Sequence, residues 1–195
     1  MITDESHFGA VYGGGTIGIM GEVARTLVSL SGPSSVHGVI PEPLIRYERN
    51  LPRDSLSSTG PKPTDLAVPD EHVFGKTTVV PDMHTRKQMM AKEVFEGGPG
   101  SGFIALSGGF GTMEEIFETA TWNQLGIHNK GICLLSVGGF YDGILEWIRK
   151  SADEGFIGGA NRDILVTATD AEGALDALKE YRVSADTLKL EWGKQ

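Results

Sequence analysis

Apolar runs without polar alternation recur along the chain, and most are followed by a segment with apolar residues at helical spacing. The runs Phe8 to Tyr12, Val36 to Ile40, Thr77 to Val80, 103–106, Gly131 to Ser136 and Ile164 to Thr167 predict strands buried on both faces. Helices are predicted over Ile19 to Leu30, Met83 to Glu96, 113–125, Tyr141 to Glu154 and Ala171 to Tyr181. Strand alternating with helix is the pattern of a parallel sheet covered on both sides. The expected fold is therefore α/β, a doubly wound parallel sheet flanked by helices, in a single domain over 1–195. Gly32-Pro33 ends the first helix, Pro41 closes the second strand, and Pro81-Asp82 opens the helix at Met83. Residues 50–70 carry four prolines and little periodicity, and are expected to form an exposed, mobile insertion rather than a domain boundary.

Composition changes this picture mainly by exclusion. The chain is 39% hydrophobic and 22% charged, as an ordinary soluble globular protein is. No apolar run approaches the roughly 20 residues of a membrane helix, and the start lacks the basic and apolar regions of a secretory signal. A net charge of −9 argues against a nucleic-acid polymer or an anionic membrane as partner. A small anion held by local N–H groups remains compatible with it. The single cysteine, Cys133, lies inside an apolar run, so a buried thiol and a reducing, cytoplasmic location are expected.

The chemistry concentrates in Leu106-Ser-Gly-Gly-Phe-Gly-Thr-Met-Glu-Glu115. A glycine-rich turn between a buried strand and a helix lets backbone N–H groups approach an anion at the positive end of a helix dipole. Thr112 and Glu115 have the spacing of a capping box, which would need no ligand. That box does not account for Gly108, Gly109 and Gly111, whose flexibility costs folding free energy unless something must come close. Gly13, Gly15 and Gly18 fit the dinucleotide fingerprint, but Ile40-Pro41 stands where a ribose-binding acid would be expected, which favours a phosphate or ribose loop, with a purely structural tight turn as the other reading. On the helix over 83–96, Arg86 and Lys87 fill a gap in the apolar stripe Met83, Met90, Val94. Either their stems snorkel or both cations point into the crevice at the strand ends. His84 is expected to be structural, and no metal-ligand spacing or serine-nucleophile motif is present.

Four segments in order, Tyr12 to Gly21, Asp82 to Met90, Ser107 to Glu115 and Thr121 to His128, resemble the Lonely Guy family over about residues 9–181. These are the cytokinin riboside 5′-monophosphate phosphoribohydrolases, long labelled lysine decarboxylases. The resemblance implies a Rossmann-like fold, usually a homodimer, acting on a nucleoside 5′-monophosphate without metal or organic cofactor. It implies Arg86 and Glu115 as the catalytic pair, with Lys87 beside the arginine. It also implies Gly108, Gly109, Phe110, Gly111, Thr112, Met113 and Glu114 around phosphate and ribose, with Thr121, Glu48 and the loop Gly13, Gly14, Gly15 as further contacts. Ser107 stands where the family usually has proline, and residues 50–70 are longer than usual. The family normally begins about one strand and one helix earlier, so this chain is expected to lack that first strand and helix. The competing readings are a non-catalytic nucleotide-binding module and a dinucleotide oxidoreductase.

Overall fold

The computed structural model describes residues 9–48 and 68–192, with side chains from 9–45 and 68–192. Most of the expected insertion at 50–70 therefore lies outside the described residues. The chain divides into two compact units, one up to Glu93 and one from Val94 onward.

The first unit holds a three-stranded parallel sheet in the order β1 (Ala10–Tyr12), β2 (Val36–Pro41), β3 (Lys76–Val80). Helix α1 (Gly18–Ser31) crosses from β1 to β2 and packs Ala24 and Val28 on Val36, with Tyr12, Leu27 and Phe74 around them. On β2 the side chains alternate between faces, so Val36 meets α1 while His37 points the other way, toward α4 (Met83–Glu96). Asp82 caps α4: its carboxylate accepts from the Thr85 N–H (2.8 Å) and the Thr85 hydroxyl (3.0 Å), and the backbone N–H above all holds this carboxyl below its ordinary value. Two short helices add to the sequence expectation. Helix α2 (Glu42–Glu48) starts directly after β2 with a proline in its first turn, and α3 (Glu71–Phe74) is a single turn capped by Asp70.

The second unit repeats the scheme with β4 (Gly102–Ala105), β5 (Gly131–Leu135) and β6 (Leu165–Ala168), all parallel. Ile132 and Leu134 of β5 face the larger core, with Ile116 of α5 (Phe110–Gln124) and Ile148 of α6 (Asp142–Asp153). Cys133 points to the other face, against Ala174 and Leu178 of α7 (Ala171–Glu180), and is fully buried. Burial pushes its thiol above the ordinary cysteine value. Each sheet is thus parallel, with the strand–helix alternation of a Rossmann-like fold. Among the described residues no helix is long and apolar enough to cross a membrane.

Candidate functional site

In the first unit the turn after β1 is built around close approach. Gly14 has a φ of +73° and a Cβ on it would stand 2.9 Å from the Cβ of Ile40, so this position excludes other residues both by backbone and by space. Gly14 and Gly15 are buried beneath this turn. Gly13 carries the guanidinium of Arg86: a Cβ there would overlap Nη2 and stand 3.1 Å from Cζ. Arg86 Nε donates to the carbonyl of Val39 at 3.2 Å, and the residue is only 8% exposed. Its charged head is buried with its stem, so snorkelling does not describe it. Lys87, one position on, is half-buried, while His84 is exposed. Met83, expected in the apolar stripe, is 43% exposed, and Arg86 and Ala91 are the buried residues of α4. Glu48 is the last residue of α2, and its side chain lies outside the described part.

In the second unit the loop after β4 runs directly into α5, and here two expectations are corrected. The helix begins at Phe110 rather than at 113, with Gly109 as N-cap and no side-chain cap. Thr112 and Glu115 therefore form no capping box: Thr112 is already the third helical residue. Its side chain packs instead on Gly108, where a Cβ would overlap Thr112 Oγ1 and stand 2.9 Å from Thr112 Cβ. The same shift puts Glu114 and Glu115 beyond the first turn, which contains no acidic residue.

The first turn of α5 consequently presents N–H groups rather than charge. Its first backbone bond runs from the Met113 N–H to the Gly109 carbonyl at 3.1 Å, so the N–H groups of Phe110, Gly111 and Thr112 precede the helical ladder. A Cβ on Gly109 or Gly111 would meet no atom within 4 Å, and neither has a positive φ. Phe110 is 97% exposed, whereas Met113 packs against the core. Glu115 is half-buried and Glu114 exposed. Thr121 is three turns along, exposed, with its hydroxyl donating to the Phe117 carbonyl at 2.7 Å.

One supporting residue escaped the sequence reading. Tyr141 is 1% exposed; its hydroxyl donates to the Leu106 carbonyl at the end of β4, and its N–H donates to Ser136 Oγ at 3.0 Å. It fixes the base of the glycine loop from the α6 side, and burial raises its phenol above the ordinary tyrosine value. Only its place at a helix start was visible in sequence. Among the described residues no cluster of three His, Cys, Asp or Glu side chains could hold a metal ion.

A family model described as "possible lysine decarboxylase" matches residues 20–178. A bifunctional cytokinin biosynthesis protein of Fusarium pseudograminearum is 47% identical over 191 residues, 98% of this chain; the chain spans 37% of that protein's length. A cytokinin riboside 5′-monophosphate phosphoribohydrolase of Arabidopsis thaliana is 39% identical over 190 residues, covering 96% of this chain and 75% of the plant enzyme. A second from the same plant is 38% identical over 184 residues, covering 93% and 73%. With the glycine turns, Arg86 and the α5 loop in the order expected, the chain belongs to the Lonely Guy family, whose plant members bear the phosphoribohydrolase name.

Proposed function

We propose that the chain hydrolyses the N-glycosidic bond of cytokinin riboside 5′-monophosphates, nucleotides of N6-substituted adenine, and also of AMP, giving free base and ribose 5-phosphate. The observation that carries this reading is the opening of α5. Gly109 serves as N-cap, but Gly111 inside the first turn has no neighbour that demands glycine and no backbone conformation that requires it, although glycine is less favourable than alanine within a helix. Space kept open beside leading helix N–H groups suits an approaching phosphate.

In the proposed reaction water adds its oxygen to C1′ while the electron pair of the C1′–N bond leaves with the purine, which gains a proton. The ribose passes through an oxocarbenium-like state. Glu115 stabilises that positive charge and takes the proton from water, and Glu114 holds ribose hydroxyls. The N–H groups from Gly109 to Thr112 hold the 5′-phosphate, and its binding positions C1′ for attack. Arg86, always cationic, is the second member of the catalytic pair, and Lys87 and the turn Gly13 to Gly15 contribute substrate contacts. Glu48, Phe110, Met113 and Thr121 complete the proposed set. The chain is proposed to act as a cytoplasmic homodimer, for which sedimentation at twice the monomer mass is the check.

Chromatography decides the central point. Incubation with N6-isopentenyl-AMP is expected to release isopentenyladenine, with slower release from AMP and little from the unphosphorylated nucleosides. Tight nucleotide binding with no liberated base would instead make the chain a binding module.

A further inference from the structure

Among the described residues of the first unit, and outside those assigned to the reaction, a polar cluster lies on the sheet face that α4 meets. His37 on β2 places Nδ1 2.7 Å from Glu93 Oε1 on α4 and Nε2 2.8 Å from Thr78 Oγ1 on β3. Both ring nitrogens are engaged, and all three side chains are partly buried. A hydroxyl can donate to or accept from Nε2, so the Thr78 bond closes with either imidazole tautomer. A threonine–histidine–carboxylate order also suits a nucleophile. Here, however, Thr78 sits in mid-strand, away from the strand ends where α/β sheets receive ligands.

The placement of the triplet gives it a different meaning. Glu93 is seven residues after Arg86 on α4, which is about 10.5 Å along the axis and within about 20° of the same face. Thr78 is the register partner of Val39, the residue whose carbonyl receives Arg86 Nε. Glu93 therefore reaches β2 at His37, two residues before Val39, where Arg86 bonds, and Thr78 ties His37 to the rung of Val39, so two successive points of one helix hold neighbouring positions of the sheet. Roll or slide of α4 would break both grips together. The seat of Arg86 tolerates little movement, because its guanidinium lies directly on the Gly13 backbone.

We propose that His37, Glu93 and Thr78 form a positioning clamp that sets the roll of α4 and thereby holds the Arg86 guanidinium in its working place. This rests on the catalytic reading of Arg86. The clamp acts through Arg86 and touches no substrate, so its removal lowers kcat and leaves KM nearly unchanged. Misplacement of a catalytic group by an ångström costs on the order of a hundredfold, and a partial shift is expected to cost about tenfold.

The test measures kcat and KM on N6-isopentenyl-AMP for Glu93→Ala, Glu93→Gln, Arg86→Lys and Arg86→Ala, and for Glu93→Ala combined with Arg86→Lys, with folding followed by circular dichroism. Glu93→Ala is expected to lose about tenfold in kcat with KM changed less than about twofold, and Glu93→Gln, which keeps an acceptor for Nδ1–H, to recover most of it. In the Arg86→Lys background the Glu93→Ala loss should nearly vanish, as coupled sites require. Unchanged kcat in Glu93→Ala, or a full tenfold loss persisting in the Arg86→Lys background, overturns the clamp. Full activity in Arg86→Lys and Arg86→Ala overturns the catalytic reading instead, independently of Glu93. Should Glu93→Ala fail to fold, Thr78→Val removes the Nε2 partner at nearly constant shape, and the same outcomes apply to it.

Discussion

The guanidinium of Arg86 rests on the α-carbon of Gly13, so closely that the space a methyl group would need there is already filled by Nη2. The φ of Gly13 is not in the left-handed region, so glycine is required at this place by the arginine and not by the backbone. Gly13→Ala should therefore fold, with a stability loss of about 1–2 kcal/mol, and should push the guanidinium off its seat. A fall in kcat of tenfold or more is expected on the monophosphate substrate, on the scale at which misplaced groups lose rate. An alanine variant as active as the parent would show that this contact does not set the position of Arg86.

Glu115→Gln keeps the shape of the side chain and removes its charge. Because the carboxylate is assigned both to the oxocarbenium charge and to the attacking water, kcat should drop by roughly a hundredfold or more, with KM little altered. Arg86→Ala should do comparable damage. Base release is the readout, and near-normal turnover in either variant refutes the assignment.

Gly111 invites a substitution whose effects on stability and activity oppose each other. Alanine fits there without a clash or a strained φ, and it favours the helix by about 0.5–1 kcal/mol, raising Tm by a few degrees at most. Its methyl group would occupy the space proposed for phosphate. KM for the monophosphate should rise about tenfold, matching roughly 1.4 kcal/mol of lost binding, while the nucleosides are unaffected. A stabilised Gly111→Ala with unaltered KM would remove the phosphate from this helix tip.

His128 makes stability depend on pH. It is 8% exposed, stacked on Phe95 with ring centroids 4.8 Å apart, and its Nε2–H donates to the Thr119 carbonyl at 2.9 Å. Nδ1 accepts from the Lys130 N–H at 3.1 Å, so the ring is held neutral. Burial above all lowers its pKa below the ordinary 6.5. The unfolded chain then binds the proton more readily, so the stability this residue contributes is complete above 6.5 and is lost as pH falls toward the folded value. Urea midpoints taken downward from neutral pH should decline across that range, and His128→Asn should flatten the decline. A parallel slope in that variant would assign the effect to other groups.

The strands and long helices were legible because their apolar periods are unambiguous, as the burial of Ile132, Cys133 and Leu134 on alternate faces illustrates. Short helices were not. Helix α3 has too few residues for a period, although Asp70 before it and Gly75 after it, with a φ of +78°, are a cap and a stop that could have been read. At the α5 loop the Thr112–Glu115 spacing suggested a cap, but a glycine N-cap gains the helix three further residues. Arg86 was marked by its spacing and by the family resemblance, and its burial follows from Gly13 and Val39, which are distant in sequence. For the same reason the Tyr141–Leu106 bond and the His37–Glu93–Thr78 triplet were invisible until the strands were in register.

The one sulfhydryl of the chain, at Cys133, is sealed within the β5 layer against α7. A thiol-specific dye therefore has nothing to modify while that layer is intact, and labels the protein only when it opens. The wild-type chain thus carries its own reporter of opening in the second unit, free of background from other thiols, and labelling rates with and without nucleotide would measure how strongly ligand holds that unit closed.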